Sequence, residues 1–300
     1  MAINPTLIDV TLPDDSGYPD IIRLGDTRDA LMQAAWDAGA IVTDFPKHLW
    51  IEPEDWGDAS RDAKKYRTRP IDFRDRFTNQ GKGNGGYSTH ECTAHCLVGI
   101  LEMCWNRLRA IPVGPPVADK RLDLSAQSAS VWFSCLSAYA EANPGEWGGA
   151  GVRQLLYIAA KRGVLPDKIQ PRDYKFKHDL IGTCGAGGIN QSRGKWVPLS
   201  QFPEGFKDTS KHFRPLEYIF PEMWEQHVCL LIHGRGVGVG RDGHSVAHGF
   251  WDDDEKLAGY TDSYDVVRYD SVGRIKATVG SSYSVENMTQ PDSYDHPAGA

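Results

Sequence analysis

The sequence predicts an α+β fold, with a helical lobe drawn from its first half and a sheet lobe from its second. Two observations carry this. Helix-spaced apolar residues and helix-end signals cluster before about residue 165, whereas short β-branched and aromatic runs separated by glycine cluster beyond about residue 215. No internal repeat or low-complexity tract points to a different architecture.

Residues 1–69 read as a leader of mixed character, either propeptide-like or a structural arm. Within it, 28–40 has apolar Ala30, Leu31, Ala34 and Ala35 at helical spacing and Gly39 near its end, which predicts a helix. From 78 to 89 the chain is polar and glycine-rich, a loop. An apolar segment, Cys92–Leu108, follows at once and is long enough for a buried helix. Ser88 or Thr89 can cap it, and Glu91 falls in its first turn. Further helices are expected at 125–142 and 149–162, the second closed by Lys161-Arg162-Gly163 with Pro166 beyond. Val228–His233 reads as a buried strand, Gly234–Gly243 as a glycine-rich connection, and His244–Trp251 as the next strand. Leu257–Asp262 and Val266–Tyr269 are shorter strands, and the Pro/Asp/Ser-rich tail, 287–300, is expected to be loose.

Composition narrows the function classes. The 300 residues are 40% hydrophobic and 24% charged, an ordinary globular balance. A net charge of -7 argues against charge-driven nucleic-acid binding. The basic run from Arg61 to Arg76 is interrupted by acidic residues and reads as a solvated face. The opening Met-Ala-Ile-Asn-Pro lacks a basic n-region and an apolar h-region, and no stretch approaches the length of a membrane span. The expected setting is cytoplasmic or virion-associated, with no secretion signal and no membrane partner. The six cysteines (92, 96, 104, 135, 184 and 229) are then expected as reduced thiols.

A thiol is a good nucleophile only as the thiolate, and a helix N-terminus beside an imidazolium lowers its pKa enough for that near neutral pH. Cys92 stands in the first turn of the long apolar helix, just after the glycine-rich loop. Cys96 and Cys104 lie further along that helix and Cys229 in an apolar run, so they read as small buried hydrophobes. The pattern His90-Glu91-Cys92-Thr93-Ala94-His95 has the wrong spacing for a zincin pair, and five residues is not a facing interval on a helix. Zinc through Cys92, His95 and Cys96 is the weaker alternative, and no metal or cofactor is expected. Gly234–Gly240 leads into a strand rather than a helix, so it lacks the helix N-terminus that holds phosphate. Asp252–Glu255 reads as a solvated turn.

Several motifs occur in the order and at roughly the spacing of the papain family, which this chain resembles from about residue 70 to 275. They are Pro70-Ile71-Asp72-Phe73-Arg74, Asn79-Gln80-Gly81, Cys92-Thr93-Ala94-His95-Cys96, Leu124-Ser125-Ala126-Gln127, Trp147-Gly148-Gly149, Gly243-His244-Ser245-Val246 and Tyr260-Thr261-Asp262-Ser263-Tyr264. The resemblance implies a two-lobe catalytic domain over 70–286. A buried helix would carry the nucleophile in one lobe, and an antiparallel sheet or barrel would form the other. It implies Cys92 as nucleophile, His244 as base, Asp262 as the group that orients the imidazole, and Gln80 as an oxyanion donor. Gly148 and Gly149 would pair with an extended substrate, and Tyr264 would lie beside it. His248, two pleats further along the strand, is the alternative base.

The sequence departs from the family at several of these places. Gln80 lies twelve residues before Cys92, a longer spacer than usual, and Thr93 replaces a bulky aromatic. Asp262 replaces Asn and Tyr264 replaces Trp. The implied activity is thiol hydrolysis of peptide or isopeptide bonds in a peptide or protein substrate. The alternative is a structural or assembly component of a phage virion, partnered by other virion proteins, with a vestigial or single-use site.

Overall fold

The structure, a computed structural model, describes residues 27–66, 92–108, 131–133, 135–142, 150–169, 205–241, 244–262 and 266–289. The first part of the chain supplies α1 (Arg28–Asp37), β1 (Ile41–Thr43), α2 (Trp56–Tyr66), α3 (Cys92–Leu108), β2 (Val131–Phe133), α4 (Cys135–Ala142), α5 (Val152–Arg162) and β3 (Pro166–Ile169). The second supplies α6 (Phe206–Ser210), β4 (Pro215–Ile219), α7 (Trp224–Ile232), β5 (Val237–Arg241), β6 (His244–Asp252), β7 (Leu257–Asp262), β8 (Val266–Ser271), α8 (Val272–Thr278) and β9 (Ser282–Met288). The fold class is α+β, as expected. A seven-stranded sheet runs β1-β4-β9-β5-β6-β7-β8, and β2 pairs with β3 apart from it. The large sheet is antiparallel except at one edge, where β1 lies parallel to β4, so it is mixed rather than wholly antiparallel.

The middle of this sheet is buried on both faces, with residues alternating along β4 and β6 between two hydrophobic cores. Tyr218 and Phe220, Ala247, and Tyr283 and Val285 join α1, α3, α4 and α5 on one side. Ile219, Val246, Val237, Val239 and Ala258 join Val228, Leu231 and Ile275 of α7 and α8 on the other. Helix α3 therefore packs across the sheet with its N-terminus, and Cys92, brought to the start of β6.

Residues of the leader segment are part of these cores. Thr27 caps α1, its Oγ1 accepting from the Ala30 amide at 3.4 Å, and Leu31, Ala34 and Ala35 are buried. Trp56 stacks edge-on between Trp224 at 5.4 Å and Trp251 at 5.8 Å. Helix α5 ends as predicted at Gly163, whose φ of 84° is a conformation that glycine adopts without strain.

Four expectations are corrected. Val228–His233 is not a strand: the run belongs to α7, with Val228, Cys229, Leu230, Leu231 and Ile232 all buried. A segment apolar on every side has no readable period, and a helix buried all round looks like a buried strand. The signal that distinguishes them is Gly234, whose φ of 70° closes the helix, with Arg235 N–H donating to Leu230 O at 2.9 Å. Second, the glycine-rich 234–243 is not only a connection, since it contains β5. Val237 and Val239 face one core, while a Cβ at 236 would overlap Met103 of α3 and one at 238 would overlap the Tyr283 ring. The alternation of Val and Gly is a strand pattern with one face kept flush for those side chains. Third, the helix expected at 125–142 is α4 alone, preceded by β2, whose Val131-Trp132-Phe133 is β-branched and aromatic; residues 125–130 lie outside the described residues. Fourth, β9 runs into the segment expected to be loose, as far as Met288, and Thr289 N–H donates to Arg214 O at 2.8 Å.

Candidate active site

Cys92 is the first residue of a 17-residue helix and is 8% exposed. The helix is fixed by burial of Ala94, Leu97, Val98, Ile100 and Leu101, and by Cys96, whose thiol donates to Val246 O of β6 at 3.0 Å. At that position the backbone N–H of Cys92 takes no part in the helix's own ladder, and the helix dipole favours negative charge.

His244 opens β6, where it is the register partner of Arg241. Its side chain and the backbone N–H of the next residue, Ser245, lie close enough to the Cys92 sulfur to act on the thiol. Burial pushes the Cys92 thiol up, but the His244 hydrogen bond and charge, with the Ser245 amide and Thr93, outweigh it and hold the thiol below its ordinary range. The other thiols behave oppositely. Burial pushes Cys96 and Cys104 up to about 12 and raises Cys229. Only Cys92, among the described cysteines with a resolved shift, is poised toward the thiolate.

Thr93 stands between the elements that carry this pair. Its Oγ1 donates to Ala150 O at 2.9 Å, lies 3.4 Å from Ser245 Oγ, and is 3.9 Å from Cys92 Sγ. The sequence marks Thr93 only as a departure from an aromatic, without indicating what its hydroxyl does.

His248, the alternative base, is engaged elsewhere. It is fully buried, with Nδ1 2.9 Å from His227 Nε2 and Nε2 3.0 Å from Asp270 Oδ2. Asp270 also accepts from Arg241, whose other guanidinium nitrogen donates to the Tyr260 hydroxyl at 2.7 Å. With both ring nitrogens committed, His248 has no atom left for Cys92. His227 Nδ1 lies 3.3 Å from Ser282 Oγ, which completes a buried polar chain from β9 through α7 and β6 to β8 and β5. Nothing local in the sequence identifies this chain, because its members are spread from 227 to 282.

The remaining predicted site residues are less fully seen. Asp262 ends β7, its backbone paired with Val266, and its neighbour Thr261 pairs with Ala247 of β6. Gln80, Gly148, Gly149 and Tyr264 lie outside the described residues, as do Ser88, Thr89, His90 and Cys184. Among the described residues no group of three or more His, Cys, Asp or Glu side chains is arranged to hold a metal ion, and no helix is long and apolar enough to cross a membrane. The Asp252–Glu255 segment is a turn between β6 and β7; Asp254 and Glu255 are exposed, and Asp253 pairs with Lys256 at 2.7 Å.

No protein-family model matches the chain, and the search of curated proteins gives no match. Among solved structures it is similar to xylellain, a cysteine protease from Xylella fastidiosa. The identity is 13%, 65% of this chain and 77% of that one are covered, and the TM-score is 0.41. A likeness of that size carries no argument about chemistry.

Proposed function

We propose that this chain is a papain-like thiol hydrolase that cleaves peptide or isopeptide bonds in a cleft between two lobes. The observation that carries the reading is Cys92 at the head of α3 beside His244 at the start of β6, with the Cys92 thiol held down while the other described thiols with a resolved shift are raised.

His244 takes the proton of Cys92 as the sulfur bonds to the scissile carbonyl carbon, and the carbonyl oxygen becomes an oxyanion. The Cys92 backbone N–H and the Gln80 amide donate to that oxygen; one such donor is worth about 3 kcal/mol in the transition state. The C–N bond then breaks, and His244 returns the proton to the leaving amine. Water activated by His244 hydrolyses the thioester and restores the thiol. Asp262 orients the imidazole and stabilises its charged form. Gly148 and Gly149 pair with the substrate backbone, Tyr264 flanks it, and the leader segment stays attached as a structural arm, a reading supported by the burial of Leu31 and Trp56.

The test is alkylation at about pH 6, where an unactivated thiol is almost wholly protonated. Peptide mapping is expected to find Cys92 labelled ahead of the other cysteines, with the preference lost on unfolding and in His244→Ala. Slow, uniform labelling of all six cysteines would refute the pair. Turnover is then read on a mixed library of quenched fluorescent peptides, with Cys92→Ser as the blank.

A further inference from the structure

The Cys92–His244 pair bridges two separately built elements, a helix N-terminus and the start of a strand. Something must hold these ends in register, because a displacement of about 1 Å at a reacting pair is enough to cost about a hundredfold in rate. The covalent chain does not do it directly: 152 residues separate Thr93 from Ser245. The Cys96 thiol bonds the Val246 carbonyl one turn further in, with apolar packing behind it, but neither acts at residues adjacent to both Cys92 and His244.

Thr93 is 4% exposed and Ser245 5%, so their hydroxyls meet with little water to compete. Thr93 has one hydroxyl proton. At 2.9 Å the Ala150 carbonyl takes it, which leaves the Thr93 oxygen to accept from the Ser245 hydroxyl at 3.4 Å. The 3.9 Å contact with the Cys92 sulfur is long, and the same proton cannot serve both it and the carbonyl. The directional chain is therefore Ser245 to Thr93 to Ala150. It joins the strand residue next to His244, the helix residue next to Cys92, and the main chain directly after Gly149.

We propose that Thr93, with Ser245, is a positioning residue of the active site, a hydroxyl clamp that holds Cys92 and His244 in register and fixes the main chain at Ala150. The inference rests on the thiol-hydrolase reading. It explains why a small hydroxyl residue follows the nucleophile here: a bulky aromatic could not bond Ala150 and Ser245 together. A hydroxyl is needed at 93, whereas its methyl group is dispensable, so serine serves in place of threonine and valine, of the same shape, does not.

The experiment is the pH dependence of Cys92 alkylation by iodoacetamide in the full chain, followed by peptide mapping, for wild type, Thr93→Val, Thr93→Ser and Ser245→Ala. Wild type is expected to show an inflection below the ordinary thiol range. In Thr93→Val the inflection moves up by about one pH unit, which cuts the labelling rate at about pH 6 by about tenfold. Thr93→Ser keeps the wild-type profile, and Ser245→Ala, which opens only the β6 side of the clamp, moves it partway. A depressed wild-type inflection left in place by Ser245→Ala overturns the clamp and leaves the Cys92–His244 pair standing, even where Thr93→Val moves it, because Thr93 also contacts the Cys92 sulfur directly. An ordinary wild-type inflection overturns the pair, and the clamp with it. Should Thr93→Val not fold, Ser245→Ala against Thr93→Ser decides: equal profiles overturn the clamp, and a shift confined to Ser245→Ala supports it.

Discussion

Replacing His227 with glutamine tests the buried polar chain behind β6. His227 is fully buried, with Nε2 2.9 Å from His248 Nδ1 and Nδ1 3.3 Å from Ser282 Oγ. Asp270 accepts from His248 Nε2–H at 3.0 Å, so a neutral His248 has only its Nδ1 lone pair to offer, and His227 must donate to it from Nε2. Both rings are then neutral in one defined tautomer. Burial first, and then the repulsion that a protonated His248 would exert, hold His227 well below the ordinary imidazole range, against the pull of Asp270. Burial also lowers His248, although Asp270 opposes it. The unfolded chain therefore takes up protons near pH 6.5 that the native protein refuses. Native stability is complete above that pH and falls as pH drops below it, with a slope approaching about 1.4 kcal/mol per pH unit for each such histidine.

His227→Gln keeps an N–H donor for His248 but removes one titrating group. It is expected to lower stability at about pH 7.5 by about 1–3 kcal/mol, the cost of disturbing a buried hydrogen bond. Between about pH 6.5 and about pH 5 it should lose less than wild type, by up to about 1.4 kcal/mol per unit. Burial likewise lowers His233, but His233 and His248 are present in both proteins and largely cancel in the difference. Urea unfolding at half-unit steps across about pH 5–7.5 reads both quantities from the midpoints. Parallel stability curves for the two proteins would show that His227 is not held neutral, and the reasoning would fail.

Two further changes test the frame around the site. Gly163→Ala places a Cβ on a residue with φ of 84°, where it would overlap the Ser210 carbonyl. Backbone strain of about 1–3 kcal/mol adds to an overlap of similar size, so a urea-unfolding loss below about 1 kcal/mol would contradict the packing of α5 against α6. Leu31→Ala removes a fully buried side chain of α1 and should lower the stability of the main unfolding transition by about 2–5 kcal/mol. A separate early transition, with the main one unmoved, would mean instead that α1 unfolds as a detachable segment.

What local chemistry determines was readable from the sequence. The onset of the apolar run places Cys92 at a helix head, Lys161-Arg162-Gly163 ends α5, and β7 and β8 begin where their apolar runs predict. Each depends on neighbours a few residues apart, and period or end signals express that directly. The rest is long-range. That both ring nitrogens of His248 are engaged depends on Asp270 and His227, which reach it from other elements. The strand character of β5 depends on Tyr283 and Met103 lying across its glycines. The second half of α7, Val228–Ile232, is apolar all round because the sheet and neighbouring helices enclose it, which removes the period that would have identified it. At the proposed site, the sequence alone picks out Cys92 as the candidate nucleophile and leaves two histidines on one strand as candidate bases. The choice between them, and the Thr93 hydroxyl that ties helix to strand, belong to the tertiary structure, because a hydrogen bond across 152 residues leaves no periodic trace in either segment.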